Sequence, residues 1–500
     1  MGNKQNKRRA TRGGTNIGLT QEEKDSLETE KEKVNYFKII SDHILLAAMG
    51  LKNVSLNYSK GNGTLLPGFK PSPTALGQDL KLLAPGWLFV VGGQADIRPE
   101  AVKNGWLTSD TTLNTAYARK FTENLNARAT VEPIRNFRIE LTATRNASSN
   151  AMEYFRADGK GDFHSYSPQK TGTFSSSFIS WSTAFLTDDE QYSNQAFENF
   201  KDYRIAIANR LAQENPNWNG NYVTDSISGE LFPEGYGPTS QDVLIPAFLA
   251  AYGGQDYNSV RLSPFPKIPI PNWRITYNGL TKIEFFKKYF KSFTLSHAYR
   301  STYNVGSYTT NVLFQDPDKD GFTAVRDAIG NFLPSLEIAQ VTIMEQFSPL
   351  INFDMTWHNS FLSKVEIKKT RNLALSFANN QLTEVSSSEI VVGVGYRFKD
   401  VKINIRTGGS RRAFESDLNI KADFSMRTNK TVLRKIVEDV NQISAGQRIV
   451  SINFAADYEL SQRFIIRLFY DHIITNPYVS SPFPTGNVNA GISLRFTLAQ

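Results

Sequence analysis

The sequence predicts an all-β fold, a transmembrane antiparallel β-barrel or part of a very large one, with helical loop or cap insertions. Three observations carry that expectation. Along Ser363 to Arg406 the apolar residues recur with period two. Ile390, Val392, Val394, Tyr396 and Phe398 share one phase, and Val391, Gly393, Gly395 and Arg397 the other, which is the side-chain alternation of a strand. The second phase is too polar for a packed core, and the same one-sided pattern returns in strand after strand to the C-terminus. Composition agrees. Only 40% of the 500 residues are apolar, yet there are 34 Phe and 20 Tyr, as expected where alternate strand residues face water and aromatics gather at two membrane interfaces.

Other classes are disfavoured by the same composition. The chain has no cysteine, which removes a disulfide framework and thiolate metal sites. No window of about 18 apolar residues suggests a transmembrane helix. The net charge of +8 owes much to Lys4, Lys7, Arg8, Arg9 and Arg12. No basic helix accompanies that tail, and no nucleic-acid partner is expected. The first 30 residues carry no apolar secretory segment, so a barrel reading predicts that this sequence is the later part of a longer chain.

Residues 1–50 read as a basic tail followed by a helix over Gln21 to Ala48. Acidic residues crowd the start of that helix, which suits its positive end. His43 lies on its apolar stripe and reads as a packing residue. Residues 51–186 read as barrel strands with long loops. Val54, Leu56 and Tyr58 alternate, a Pro-rich loop covers Leu65 to Gly105, and Asn124 to Arg145 is a hairpin turning near Pro133. Thr171 to Phe185 reads as a weaker strand. Residues 187–271 break the pattern and read as a cap or an inward-folded plug. Within them a helix is predicted over Asp188 to Ala212, with Thr187 or Asp188 as its cap. A second helix, over Gln241 to Ala251, is expected to be interrupted by Pro246.

Residues 272–500 return to strands. Phe293 to Tyr299, Tyr303 to Phe314, Leu336 to Phe347 and Ile351 to Trp357 lead into the organising stretch. There Lys399 and Asp400 read as a two-residue hairpin loop, because Phe398 and Val401 then share a face. The segment Val432 to Val440 fits either helix or strand. Rows at Val450 to Tyr458, Phe464 to Tyr470 and Val488 to Leu498 complete the count, roughly 14 to 18 strands. Ile465 and Phe469 interrupt the polar phase, which suggests contact with a plug. Lys402, Asn404, Arg406, Lys421 and Asp423 fall on the polar phase and are the candidate pore-facing residues.

The sharpest local motif is Asp316-Pro-Asp318-Lys-Asp320-Gly321, with Asp327 at the twelfth position. Oxygen ligands at alternate positions, with Gly at the sixth, open a calcium loop. Asp at the last position is shorter than the usual Glu, and the flank reads as strand. A turn built from Asp and Gly fits as well. Calcium is therefore the one cofactor considered. The five histidines show no metal spacing, and no nucleophile elbow, Walker loop or dinucleotide fingerprint is present. The pairs Ser296-His297 and His164-Ser165 place adjacent residues on opposite faces of a strand. The chain does not read as an enzyme.

Segments 63–71 (GTLLPGFKP), 124–146 (NLNARATVEPIRNFRIELTATRN), 345–361 (EQFSPLINFDMTWHNSF), 368–385 (KKTRNLALSFANNQLTEV) and 394–403 (VGYRFKDVKI) resemble the SprA/Sov family. Members are outer-membrane translocons of the type IX secretion system, linked to gliding motility. The resemblance runs from about residue 51 to the C-terminus and corresponds to the C-terminal part of that family's much longer chains. It implies a very wide protein-conducting barrel in the bacterial outer membrane. The implied partners are folded cargo with type IX C-terminal signal domains, a PorV-like shuttle barrel, a periplasmic plug protein and the lipid bilayer. It implies no catalytic residue. A free-standing outer-membrane porin for small solutes and a soluble β-rich binding protein are the alternatives left by the pattern alone.

Overall fold

The computed structural model describes residues 50–497, except Ile227, Gly408, Gly409, Gln462, Arg463 and residues 480–482. The side chains of residues 404–414 and of Ser461 are also outside the description. The basic tail and the helix expected over Gln21 to Ala48 thus lie outside the described residues. Leu51 to Gln500 forms one unit.

Strands dominate that unit. They are β1 (Leu51–Leu65), β2 (Tyr117–Ile134), β3 (Phe137–Ala157), β4 (Phe163–Ser177), β5 (Tyr222–Thr224), β6 (Leu231–Pro233), β7 (Asn272–Tyr277) and β8 (Phe290–Thr310). The series continues with β9 (Leu336–Ile338), β10 (Gln340–Trp357), β11 (Phe361–Ser376), β12 (Gln381–Thr407), β13 (Ser410–Lys435), β14 (Val440–Ser461), β15 (Phe464–Val479) and β16 (Thr485–Phe496). The helices are α1 (Trp87–Val90), α2 (Arg98–Lys103), α3 (Gln195–Glu214), α4 (Gln241–Gly253) and α5 (Glu284–Tyr289). Fourteen strands form one antiparallel sheet, twelve of them in the order β1-β2-β3-β4-β8-β10-β11-β12-β13-β14-β15-β16, with β7 pairing β3 and β8 and β9 pairing β8, while β5 and β6 pair separately. Among the described residues β1 pairs only with β2, and β16 only with β15, so the sheet has two open edges.

One lane of the sheet is shared by two strands. β4 pairs with β3 as far as Ser176 opposite Arg145, and β7 takes over from Asn272 opposite Thr142. On the other side β8 pairs with β4 through Thr302 and with β7 from Tyr299. The chain therefore leaves the sheet in mid-lane after Ser177 and re-enters at Asn272. The break is sealed by hydrogen bonds. Phe178 N–H donates to the Ser301 carbonyl at 3.0 Å and Ile270 N–H to the Ser177 carbonyl at 3.2 Å. Ser301 N–H donates to Asn272 Oδ1 at 2.8 Å. These bonds pair backbone N–H groups that the lane break would otherwise leave open.

This detour corrects several expectations. The strand expected over Thr171 to Phe185 ends at Ser177, because residues 178–185 already belong to the insertion. The insertion is 178–271 rather than 187–271. Its first helix starts at Gln195, where the Asn194 side chain accepts from Phe197 N–H at 3.0 Å. Neither Thr187 nor Asp188 caps it. α4 runs unbroken through Pro246. Elsewhere Lys399 and Asp400 are not a hairpin loop. They form a bulge inside β12, between Phe398 opposite Leu418 and Val401 opposite Ser416. A bulge in which these two residues oppose the single Asp417 keeps Phe398 and Val401 on one face as a two-residue turn does, so periodicity alone cannot separate them. Lys435 ends β13 and Val440 opens β14, so the ambiguous segment is strand, turn, strand. The segments expected as separate strands around residues 348–350 are one strand, β10, with a bulge between Phe347 and Ile351.

Candidate functional site: an apolar belt, a polar face and a clamped insertion

Call the end of the sheet that carries the β2–β3 turn at 135–136 the lower end. The long connections 66–116 and 311–335 leave from the upper end, and 178–271 leaves in mid-lane and packs over the upper half of the sheet. Cross-strand register then assigns every side chain to one of two faces, since residues directly opposite point the same way.

On the lower half of one face the register aligns a predominantly apolar belt across the twelve lanes, interrupted by His297, Ser363 and His472. It starts with Leu51, Val54, Leu56 and Tyr58 in β1, beside Leu125, Ala127, Ala129 and Val131 in β2. Ile139 and Leu141 of β3 continue into Ile275 and Trp273 of β7. Phe353 and Met355 of β10 lie between Leu295 and Phe293 of β8 and Val365 and Ser363 of β11. Ile390, Val392, Val394, Tyr396 and Phe398 face Met426, Phe424, Ala422, Ile420 and Leu418 of β13. Val450 to Tyr458 of β14, Phe464 to Ile474 of β15 and Val488 to Phe496 of β16 finish it. Among the described residues none covers this belt at its centre. Leu56, Val392 and Ile492 are 64%, 40% and 69% exposed. Ile390 to Phe398 spans nine residues, the about 9–11 residues with which a tilted strand crosses a bilayer core. Single-chain soluble proteins rarely leave an apolar patch larger than a few hundred Å².

Aromatic residues line both rims of the belt. At the lower rim Phe290 meets Trp357 at 4.4 Å between centroids, Tyr396 meets Phe398 at 4.6 Å, and Phe137 meets Tyr277 at 6.0 Å. At the upper rim Trp273 stacks on Tyr299 at 4.5 Å, Trp181 reaches Trp273 at 5.3 Å, and Phe185 reaches Phe347 at 5.2 Å. Amphipathic rings are enriched at the two rims of the apolar band in membrane barrels.

The opposite face is mainly polar, with Val391, Ile449, Ile465, Phe469 and Ile473 as apolar exceptions. Lys364 pairs with Glu366 at 2.9 Å, Lys368 with Glu366 and Glu389 at 3.3 and 3.6 Å, and Arg467 with Asp457 at 2.6 Å. Lys421 and Asp423 lie on this face, exposed, and neither makes an ion pair among the described residues. Lys402 lies on it too, 3.5 Å from Glu415. Asn404 and Arg406 share its register opposite Ala413 and Arg411, but their side chains lie outside the described residues. The plug contact expected for Ile465 and Phe469 has another outcome. Phe469 lies over Gly491 of the neighbouring strand, where a Cβ would meet its ring at 3.0 Å.

The insertion covers the upper half of the belt's own face, not the polar face, so a plug on the polar side is ruled out for residues 178–271. Phe197, Phe200, Ile207 and Leu211 of α3 and Val243 to Tyr252 of α4 share one core with Tyr303, Val305, Val341, Ile343, Leu373, Leu375 and Leu382 of the sheet. α4 is apolar all round because it lies buried between α3 and the strands.

Charges lock this contact. Arg434 is fully buried and binds Asp188 of the insertion at 2.9 Å and Glu384 of β12 at 2.8 Å. Lys430 also binds Asp188, and the Arg434 guanidinium donates to the Tyr192 carbonyl. Beside them Arg371 binds Glu345 at 2.9 Å and donates to the Thr183 carbonyl at 2.7 Å. Glu345 accepts from Ser180 Oγ at 2.6 Å and Tyr299 Oη at 2.9 Å. Burial acts to raise the Asp188 carboxyl, but Lys430 and Arg434 outweigh it and hold the group below its ordinary value. Sequence reading missed this lock. Its signal was present, since Glu345, Arg371, Glu384, Lys430 and Arg434 are charges on the apolar phase of their strands.

The calcium-loop aspartates do not gather. Asp316 accepts from Asp320 N–H at 3.1 Å and Gly321 N–H at 2.9 Å, and Asp320 accepts from Phe322 N–H at 2.9 Å. Asp327 accepts from Ile329 and Asn331 N–H in a separate turn. No group of three or more His, Asp or Glu side chains arranged to hold a metal occurs among the described residues. The Asp-rich stretch is used for turns. No family model matches the chain, and no curated protein matches it.

Proposed function

We propose that this chain is a wall of a protein-conducting β-barrel in the bacterial outer membrane, the translocon of a type IX secretion system. Its apolar belt faces lipid and its polar face lines the passage. The observation that carries the reading is the belt itself: twelve lanes of predominantly apolar outward side chains, aromatic at both rims, backed by a mainly polar face. The resemblance of five segments to the SprA/Sov family supports the more specific activity. In this reading the barrel exports folded cargo bearing type IX C-terminal signal domains and supports gliding motility. A PorV-like shuttle barrel and a periplasmic plug are its partners. Lys402, Asn404, Arg406, Lys421 and Asp423 belong to the passage lining, and no catalytic role is assigned. Open edges at β1 and β16 favour a wall over a small closed porin, because an unpaired strand edge is not tolerated in lipid and calls for a further strand on each side.

The absence of cysteine makes the test direct. In native outer membranes K421C is expected to react with a membrane-impermeant maleimide and A422C to resist it. Equal labelling of the two sets the membrane reading aside. A photo-crosslinker at Asp423 is expected to capture folded cargo in transit. Solute permeation without cargo capture transfers the assignment to a small-solute porin.

A further inference from the structure

We propose that the cleft where the insertion meets the upper rim of the belt binds the phosphorylated sugar headgroup of an outer-leaflet glycolipid. The inference rests on reading the belt as membrane-spanning. The long connections then lie outside the cell, as in outer-membrane barrels, and the upper rim sits at the outer leaflet, whose principal lipid is a phosphorylated glucosamine glycolipid.

The cleft, about 470 Å³ in volume, is lined by Lys369, Ser386, Ser388, Thr428 and Tyr478 of the sheet and by residues of the insertion. Its charges are unequally satisfied. Arg371 has Glu345, while Arg434 and Lys430 share Asp188. Asp189 turns its carboxylate back onto the N–H groups of Gln191 and Ser193. Lys369 has no carboxylate partner among the described residues. Its ammonium lies 4.6 Å from the Phe185 ring centroid, a contact that holds a cation without neutralising it. A half-buried lysine without an ion pair among the described residues, beside the hydroxyls of Ser386, Ser388 and Thr428 and across the cleft from Glu384, suits a phosphate and the hydroxyls of its sugar.

Register connects this headgroup position to the belt. Two residues below Lys369 on the same face is Ile367, below Ser388 is Ile390, and below Thr428 is Met426. A lipid held by its phosphate at Lys369 would run its acyl chains down those rows. Phe185 and Leu186 of the insertion, 47% and 40% exposed, overhang the same place. Tyr478 closes the far side, its hydroxyl donating to the Asn429 carbonyl at 2.7 Å.

The test uses the full chain in nanodiscs with three probes: bisphosphorylated lipid A, its dephosphorylated form, and phosphatidylglycerol. Native mass spectrometry is expected to show preferential retention of the bisphosphorylated form. K369Q is expected to lower its affinity about tenfold, the loss of one charge-assisted contact, and K369R to restore it. Equal retention by K369Q, or retention of phosphatidylglycerol as tight as that of lipid A, overturns the proposal. Maleimide protection of A422C in the same nanodiscs separates the two readings. Protection without lipid A preference defeats only the glycolipid site, whereas labelling of A422C defeats the belt beneath it.

Discussion

The upper and lower halves of one sheet face solve the same problem in different ways. Both carry apolar residues at period two on the same strands, in one register. In the upper half Val341, Ile343, Leu373, Leu375 and Leu382 are buried under α3 and α4. In the lower half Val392, Val394, Phe424 and Ile452 remain bare. The difference is marked by charge. The covered half admits Glu345, Arg371, Glu384 and Arg434, each paired within the insertion contact, whereas the bare belt carries none at its centre. Buried charges are tolerated where partners can be built around them, and the insertion supplies such partners over the upper half only. A strand face can thus be apolar for two unrelated reasons, and its charges tell them apart.

The largest expected effect breaks the covered half. R434M leaves Glu384 without its cation and Asp188 with Lys430 alone. Losing one partner of a buried pair costs about 3–5 kcal/mol. Limited proteolysis should then cut within residues 178–271 at protease levels the wild type withstands, while the belt strands stay protected. The same lock has a pH signature. Because the Asp188 carboxyl is held below its ordinary value in the folded chain, the folded state binds fewer protons there than the unfolded one. Its contribution is fully present above the ordinary carboxylate range, near pH 4, and is lost as pH falls through the depressed value. Protease resistance of the insertion measured from pH 6 downward should fall in that window, and D188N should flatten the profile.

A belt substitution breaks the other half. V392R puts a charge on the bare face and should cost about 2–4 kcal/mol if that position lies near the bilayer midplane. S425R, on the polar face, should cost little. Urea titration of folding into lipid vesicles distinguishes them. Equal costs would erase the distinction between the faces. The smallest effect sharpens the contrast by loosening the insertion alone. N194A removes the α3 cap and should cost about 1 kcal/mol, read as faster amide exchange at Phe197 with no change in the belt.

Much of this was legible in the chain, for reasons that differ by region. The rows at Ile390 to Phe398, Leu418 to Met426 and Val450 to Tyr458 are regular and long, so the period-two signal identified both the strands and their faces. The lane shared by β4 and β7 was not legible, because six residues of β7 and a Ser-rich end of β4 carry too little pattern to reveal that they are collinear. The bulge at Lys399 and Asp400 was read as a turn because both preserve the face. Asp316 to Asp327 offered the ligand order of a calcium loop, but ligand order does not determine whether the chain wraps around a point or breaks into two turns.

What the sequence determined by itself is local: the alternation of side chains, the polar and apolar phases, the all-β class and the helical character of the insertion. Each depends only on residues a few positions apart. What the tertiary structure decided is which segments meet. It placed the insertion on the apolar face and joined Asp188 to Arg434 across 246 positions of chain. It also left the lower half of that face uncovered. Those outcomes depend on register between distant strands and on where a long connection finds a complementary surface, and no local pattern encodes either.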